Sequence, residues 1–244
     1  MKSALVTGAS RGIGLGIAER LAARGYGLTI TARDAPKLTQ IAEQLSAAGA
    51  PAVVTVPVDM ADPAAAVQLL AAHEARYRTM NVAVLSAGVG TAGRIENTKP
   101  SRVDKMMDVN VKAPLAVIQS ALPLLRAGAA DDPAHGARII ALASITGVFP
   151  EAGLALYGAS KAALISLVTS LNAEESATGV TATAIAPGYV DTAMSEWVHD
   201  RINPATMIQV NDIVQMVGAL IDMSANTVVS ELIMSRAGSN GRAA

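Results

Sequence analysis

A phenol and an ammonium four residues apart, Tyr157 and Lys161, form the pair in this sequence best suited to moving a proton. On a helix the two share a face. A free tyrosine ionises near pH 10, at about 10, which makes it a poor acid or base catalyst at neutrality. A nearby ammonium favours the phenolate and lowers that value. A lowering of about three units corresponds to roughly 4 kcal/mol, large for one exposed charge, so partial burial and a second positive group must contribute. Ser144 lies thirteen residues before Tyr157 and brings a hydroxyl able to hold a carbonyl or alcohol oxygen beside the phenol. Alone, each side chain has an ordinary account: a core tyrosine with a satisfied hydroxyl, a solvated helix lysine, a serine capping a loop.

A second chemistry-bearing segment is Thr7-Gly8-Ala9-Ser10-Arg11-Gly12-Ile13-Gly14. It follows an apolar strand-like run and opens a helical pattern. Glycines there let backbone N–H groups approach a phosphate, and a helix N-terminus adds about half a positive charge. Strand, glycine turn and helix in that order carry more weight than glycines alone.

The elements needed to hold these groups alternate along the chain. Strands are expected at Ser3–Thr7, Leu28–Thr31, Ala52–Val58, Val82–Leu85, Arg138–Ala143, Val180–Ile185 and Leu232–Met234. Helices are expected after the glycine turn, where Ile13, Ile17 and Leu21 sit four apart, and over Ala35–Ala48, Asp62 to about Arg76, Ser101–Leu125, Leu154–Ser176 and Asp212–Met223. Asp62-Pro63 reads as a cap with a first-turn proline. Gly128–Gly136 reads as a polar loop. Strands apolar on both faces belong in a parallel sheet covered by helices on each side. The expected fold is therefore α/β: a Rossmann-like doubly wound sheet, mostly parallel, of about seven strands. No linker divides the chain, so 1–244 is expected to be one domain.

The spacing Gly-x-x-x-Gly-x-Gly, followed by Ser144 and the Tyr157-x-x-x-Lys161 pair, resembles the short-chain dehydrogenase/reductase family in its compact classical branch. The resemblance covers nearly the whole chain. It implies a catalytic set of Asn110, Ser144, Tyr157 and Lys161. Tyr157 exchanges a proton with the substrate oxygen while a nicotinamide carbon exchanges a hydride, and the positive nicotinamide ring is the second charge that helps the phenol ionise. Lys161 tunes the phenol and binds ribose hydroxyls, Ser144 polarises the substrate, and Asn110 supports a water-mediated proton path. It implies cofactor contacts at Gly8, Ser10, Arg11, Gly12, Ile13, Gly14, Asp59, Met60, Ser86, Ala87, Gly88, Pro187, Val190 and Thr192, besides Tyr157 and Lys161. Ser86 departs from the family's Asn-Ala-Gly and can make one hydroxyl bond in place of two amide bonds.

Cofactor choice follows from charge. A carboxylate closing the second strand would bind adenosine ribose hydroxyls and repel a 2′-phosphate. Here Ala32 takes that position, Arg33 follows it and Arg11 lies across, so NADP(H) is favoured over NAD(H). Two readings compete: Asp34 paired with Arg33, or both arginines simply solvated. The substrate loops, Ile145–Leu156 and Ala193–Met207, offer Ile145, Val148, Phe149, Leu154, Met194, Trp197 and Val198, with His199 and Arg201 as polar edges. A neutral or chain-bearing carbonyl or alcohol, including a 3-oxoacyl type, fits such walls better than a sugar. A non-catalytic NADP(H)-binding regulator on the same fold is the alternative, but it has no physical need for Tyr157 and Lys161 together. An extended-branch sugar-nucleotide enzyme would need more chain than the fifty or so residues after Thr192.

Composition excludes other classes. Nineteen basic and twenty acidic residues give a net charge of −1, and aromatics are 2%, so neither a phosphate-backbone binder nor a stacking platform is implied. There is no cysteine, and the three histidines lack metal-ligand spacing. Glu174-Glu175 and Asp131-Asp132 read as solvated, and Met106-Met107 as core filler. The longest uncharged runs have 15 residues and contain Gly or Pro, short of a spanning segment. A cytoplasmic homodimer or homotetramer, with no nucleic-acid or membrane partner, is the expectation.

Overall fold

The computed structural model describes residues 1–241. Its elements run β1 (Ser3–Thr7), α1 (Gly12–Ala23), β2 (Gly27–Ala32), α2 (Ala35–Ala47), β3 (Val53–Pro57), α3 (Ala65–Tyr77), β4 (Val82–Leu85), α4 (Pro100–Met107), α5 (Ala113–Asp131), β5 (Ala137–Leu142), α6 (Ala155–Glu175), β6 (Val180–Pro187), α7 (Val210–Asp222) and β7 (Glu231–Met234). All seven strands are parallel, in the order β3-β2-β1-β4-β5-β6-β7. This is the expected Rossmann-like sheet.

Successive strand residues point to opposite faces. Ala4, Val6, Val82 and Val84 therefore pack with α1, α2 and α7, through Ile17, Leu21, Leu38, Ile41, Ile213 and Val217. Leu5, Ala83 and Leu85 pack the other way, with Leu69 of α3, Val117 and Leu125 of α5, and Leu164 and Val168 of α6. The strand order reverses at the β1–β4 pair, which opens a cleft beyond their C-terminal ends. The glycine turn and the loops after β4, β5 and β6 all end at that cleft.

Three local expectations are corrected. The helix expected over 101–125 is two helices joined by a π-helical segment, Asp108–Lys112, and α5 continues to Asp131. Gly128 is therefore helical rather than the start of a loop. A Cβ there would collide with the Met80 carbonyl, so it is a packing glycine. The run 100–131 is long and apolar enough to span a membrane by length and composition, but half of it is buried inside the protein. Asp62 does not start α3. It caps the preceding turn by accepting from the Ala64 N–H at 2.8 Å, and the helix begins at Ala65. Glu175 is not solvated: buried on α6, it pairs through two contacts with Arg126 of α5. Asp132 likewise binds Lys2 and His135, whereas Met106 is core, as expected.

His73 shows how tightly the sheet's other end is closed. It is fully buried, with Nδ1 2.9 Å from the Thr29 hydroxyl and Nε2 3.1 Å from the Thr79 carbonyl oxygen. A carbonyl only accepts, so Nε2 carries the proton and Nδ1 accepts. Burial disfavours the charged imidazolium and holds the pKa down to about 4 from 6.5, with the Thr79 carbonyl bond pulling the other way. The unfolded chain then binds the extra proton first. The stability contribution is complete above pH 6.5, falls as pH drops below it and is gone below 4. Chemical denaturation at constant protein concentration should show wild type losing about 2 kcal/mol between pH 7.5 and 5 from this residue. His73→Gln should lose correspondingly less.

Candidate functional site

The glycine turn is required by contact as well as by conformation. Gly8 and Gly12 have φ of +67° and +56°. A Cβ on Gly8 would lie 2.9 Å from the Ala87 backbone, and one on Gly14 would strike the Gly8 carbonyl. The Ala9 N–H donates to the Thr31 carbonyl at 3.1 Å, tying the turn to β2. A groove of about 470 Å³ runs along it. Gly8, Ser10, Arg11, Gly12 and Ile13 form one wall, with Ala32 and Arg33 beyond β2, Asp59 and Met60 beyond β3, Ser86 to Gly88 beyond β4, and Thr192 opposite Gly12.

Within this groove the charge argument is resolved in part. Asp34 does not pair with Arg33. It caps α2, with its Oδ1 accepting from the Lys37 N–H at 3.0 Å. Arg11 and Arg33 both face the groove. Lys105 adds a third cation, which its helical setting gave no reason to single out. Asp59 also lines the groove, and its Oδ1 accepts from the Ala61 N–H.

The bracing left in question by Ser86 comes from Thr7. Its hydroxyl oxygen accepts from the Ser86 and Ala87 N–H groups, each at 3.0 Å, and donates to the Val84 carbonyl at 3.4 Å. Thr7 was visible in the sequence only as the last residue before the glycine turn. The segment after β6 is held similarly. Val190 bridges to Ile208, and the buried Ser195 hydroxyl lies against the Val190 and Thr192 carbonyls.

A second cavity of about 380 Å³ adjoins the groove, sharing Ile13, Ser86, Gly88 and Thr192 with it. Ser144, Tyr157 and Lys161 converge on its wall, with Pro187 and Val190 nearby. Lys161 is 5% exposed, donates to the Leu142 carbonyl at 2.6 Å and lies 5.8 Å from the Tyr157 ring centre. Burial lowers its pKa to about 8. Burial also raises the Tyr157 pKa, while the neighbouring Ser144 hydroxyl pulls it down. Burial thus opposes the phenolate, and the Ser144 hydroxyl favours it.

Asn110 does not line the cavity. From the π-helical segment it exchanges two bonds with the Val89 backbone, both 2.9 Å, and donates to Ser160 Oγ at 3.0 Å. Its side chain thus braces the loop after β4 against α6. Ser160, a residue sequence reasoning passed over, links the two by donating to the Tyr157 carbonyl at 2.7 Å.

The expected substrate walls are partly redistributed. Leu154, Met194 and Trp197 line the cavity. Ile145 and Val198 are buried in the core instead, Val148 packs against the core, and Phe149 lies outside the lining. Val89, Thr91, Ala92 and Tyr189 take their places. Arg201 stacks over Trp197 at 5.1 Å, and His199 is also outside the lining. Tyr189 donates to Glu151 at 3.0 Å, and burial with that carboxylate raises its pKa. Among the described residues, no three His, Cys, Asp or Glu side chains are grouped to hold a metal.

The residues present fit a dinucleotide. Lys161 has three protons and one hydrogen-bond acceptor among the described residues, Leu142, while its Nζ would be 3.5 Å from a Cβ on Gly88 in the groove wall. A buried ammonium left this way calls for further acceptors, which ribose hydroxyls supply.

Comparison with known proteins agrees with this geometry. The family model for short chain dehydrogenases matches residues 2–203. An uncharacterised oxidoreductase of Staphylococcus epidermidis is 38% identical over 197 residues, 80% of each chain. A short chain dehydrogenase from Burkholderia cenocepacia, solved in complex with NADP, superposes with a TM-score of 0.84 at 29% identity over 96% of each chain. An alcohol dehydrogenase from the archaeon Thermococcus sibiricus, complexed with 5-hydroxy-NADP, gives 0.87 at 25% identity over 98% of each.

Replacing Thr7 by Val keeps its shape and leaves two backbone N–H groups without their acceptor. Thermal or urea unfolding should show a loss of about 1–3 kcal/mol. Thr7→Ser should stay near wild type; equal losses would assign the effect to the methyl group.

Proposed function

The chain belongs to the short-chain dehydrogenase family, and from that we propose that it is an NADP(H)-dependent oxidoreductase reducing a neutral, fairly apolar carbonyl to an alcohol. The observation that carries this reading is the convergence of Ser144, Tyr157 and Lys161 on an apolar cavity continuous with the cation-lined groove. Bound in that groove, NADPH would supply the hydride for the substrate carbon. Gly8 to Ile13 would admit its phosphates, with Gly14 closing the turn behind them, Arg11 and Arg33 would meet the 2′-phosphate, and Asp59 and Met60 would flank the adenine. Ser86 to Gly88, Pro187, Val190 and Thr192 would frame the nicotinamide end, and Lys161 would bind ribose hydroxyls.

Ser144 donates a hydrogen bond to the carbonyl oxygen and holds it beside the phenol. Tyr157 then delivers its proton to that oxygen as negative charge develops there. Burial raises its pKa and the Ser144 hydroxyl lowers it; the protonated phenol is the form that donates in reduction, and the phenolate the form that accepts in oxidation. Lys161 places positive charge near the phenolate left behind. Asn110 keeps the loop after β4 in register and supports a water-mediated proton path. The apolar side chains Leu154, Met194 and Trp197 favour aliphatic or 3-oxoacyl substrates over sugars. Val228 and Ile233, each about two-fifths exposed on or beside the edge strand β7, support association of copies of this chain into a homodimer or homotetramer.

Two experiments test this. With NADPH and a panel of aliphatic ketones, 3-oxoacyl thioesters and sugars, Tyr157→Phe should lower kcat by about 10²–10⁴-fold. Wild-type rates in that variant, or a strong preference for sugars, would refute the assignment. In parallel titrations Arg33→Ala should weaken NADPH about ten- to a hundredfold and NADH little, the worth of a charge-assisted bond. Equal losses would mean that Arg33 does not read the extra phosphate.

A further inference from the structure

Ser144 does not stand free in the cavity wall. Its Oγ caps the short turn Ile145–Gly147, 3.3 Å from the Thr146 N–H and 2.9 Å from the Thr146 hydroxyl. A backbone N–H can only donate. The Thr146 hydroxyl is placed to donate to the same oxygen. A serine hydroxyl has two acceptor positions and one proton. Both acceptor positions are therefore taken, and the proton is left for the cavity.

The turn that sets this arrangement is clamped to α6. A Cβ on Gly147 would lie 2.8 Å from the Lys161 carbonyl carbon and the Ala162 nitrogen, and one on Gly158 would lie 2.7 Å from the Thr146 carbonyl oxygen. Thr146 is buried and lines the same cavity as Tyr157. Backbone contact at two glycines thus holds the serine–threonine pair at a constant distance from the phenol.

We infer that Thr146 is a positioning residue whose hydroxyl locks Ser144 as a donor, so that Ser144 gives a hydrogen bond to a carbonyl, an alkoxide or the Tyr157 phenolate. The inference rests on the proposed roles of Ser144 and Tyr157. A serine free to rotate would divide its time between donating and accepting. A locked one needs no reorientation as charge develops on oxygen, which is the condition for electrostatic stabilisation of a transition state. A hydroxyl that donates towards a phenol favours its ionised form, which is the direction in which Ser144 acts on Tyr157.

The test reads Tyr157 directly. In protein labelled with [¹³Cζ]tyrosine, loss of one resonance in Tyr157→Phe assigns the signal among the four tyrosines. Ser144→Ala and Thr146→Val should both move ionisation of that signal to higher pH, while Thr146→Ser should titrate as wild type. In ketone reduction with NADPH, Thr146→Val should lose about five- to tenfold in kcat with KM little changed, the worth of one hydrogen bond. Melting temperatures check that each variant is folded. A wild-type titration in Thr146→Val overturns the inference. So does an unshifted Ser144→Ala, or a Thr146→Ser displaced as far as Thr146→Val. Ketone reduction surviving in Tyr157→Phe would instead refute the catalytic reading itself.

Discussion

The arrangement depends on an ammonium withdrawn from water. Lys161 is nearly inaccessible, and the Leu142 carbonyl at the end of β5 holds it. Burying such an ion costs several kcal/mol unless its protons find partners. The fold meets part of that need with the strand end and leaves the rest to the groove beside Gly88. Backbone can come this close only where side chains are missing, which is why Gly147 and Gly158 stand where the turn after β5 meets α6. The end of β5, the turn after it and the first two turns of α6 therefore behave as one rigid piece.

The low dielectric that disfavours the lysine's charge also keeps the phenol neutral. Tyr157 and Lys161 are both displaced away from their charged forms by burial, and Ser144 offsets the effect on the phenol. Hydrogen bonds in such surroundings are stronger than in water, so one correctly aimed serine has leverage. The apolar wall of Leu154, Met194 and Trp197 creates the same conditions for the substrate. In the proposed reaction, proton donation and selection of an apolar partner would thus have a common physical origin.

Much of this was legible in residue order. The parallel sheet could be read because its strands are apolar on both faces, and the glycine turn because positive φ and close approach leave few alternatives to glycine. Errors arose where a residue's role is set by a neighbour distant in sequence. Gly128 resembles a loop glycine until Met80 is placed against it, and Glu175 a surface acid until Arg126 arrives from another helix. Ile145 and Val198 are apolar loop residues, but only packing decides whether such a residue faces a ligand or the core. The bracing contributed by Thr7 was hidden because its partners are backbone N–H groups about eighty residues away, which have no side-chain signature.

The amino-acid order by itself determined the alternation of strands and helices, the glycine turn, the lack of a carboxylate at Ala32, where β2 ends, and the family to which the chain belongs. Each of these is a local property, carried by periodicity, backbone freedom or the chemistry of adjacent side chains. Only the tertiary structure decided that Asp34 caps a helix and leaves Arg33 to the groove, that burial opposes ionisation of Tyr157, and that the Thr146 hydroxyl bonds Ser144. Desolvation and the direction of a hydroxyl proton depend on every group that surrounds an atom. That surrounding shell exists only once strands and helices remote in sequence have packed together.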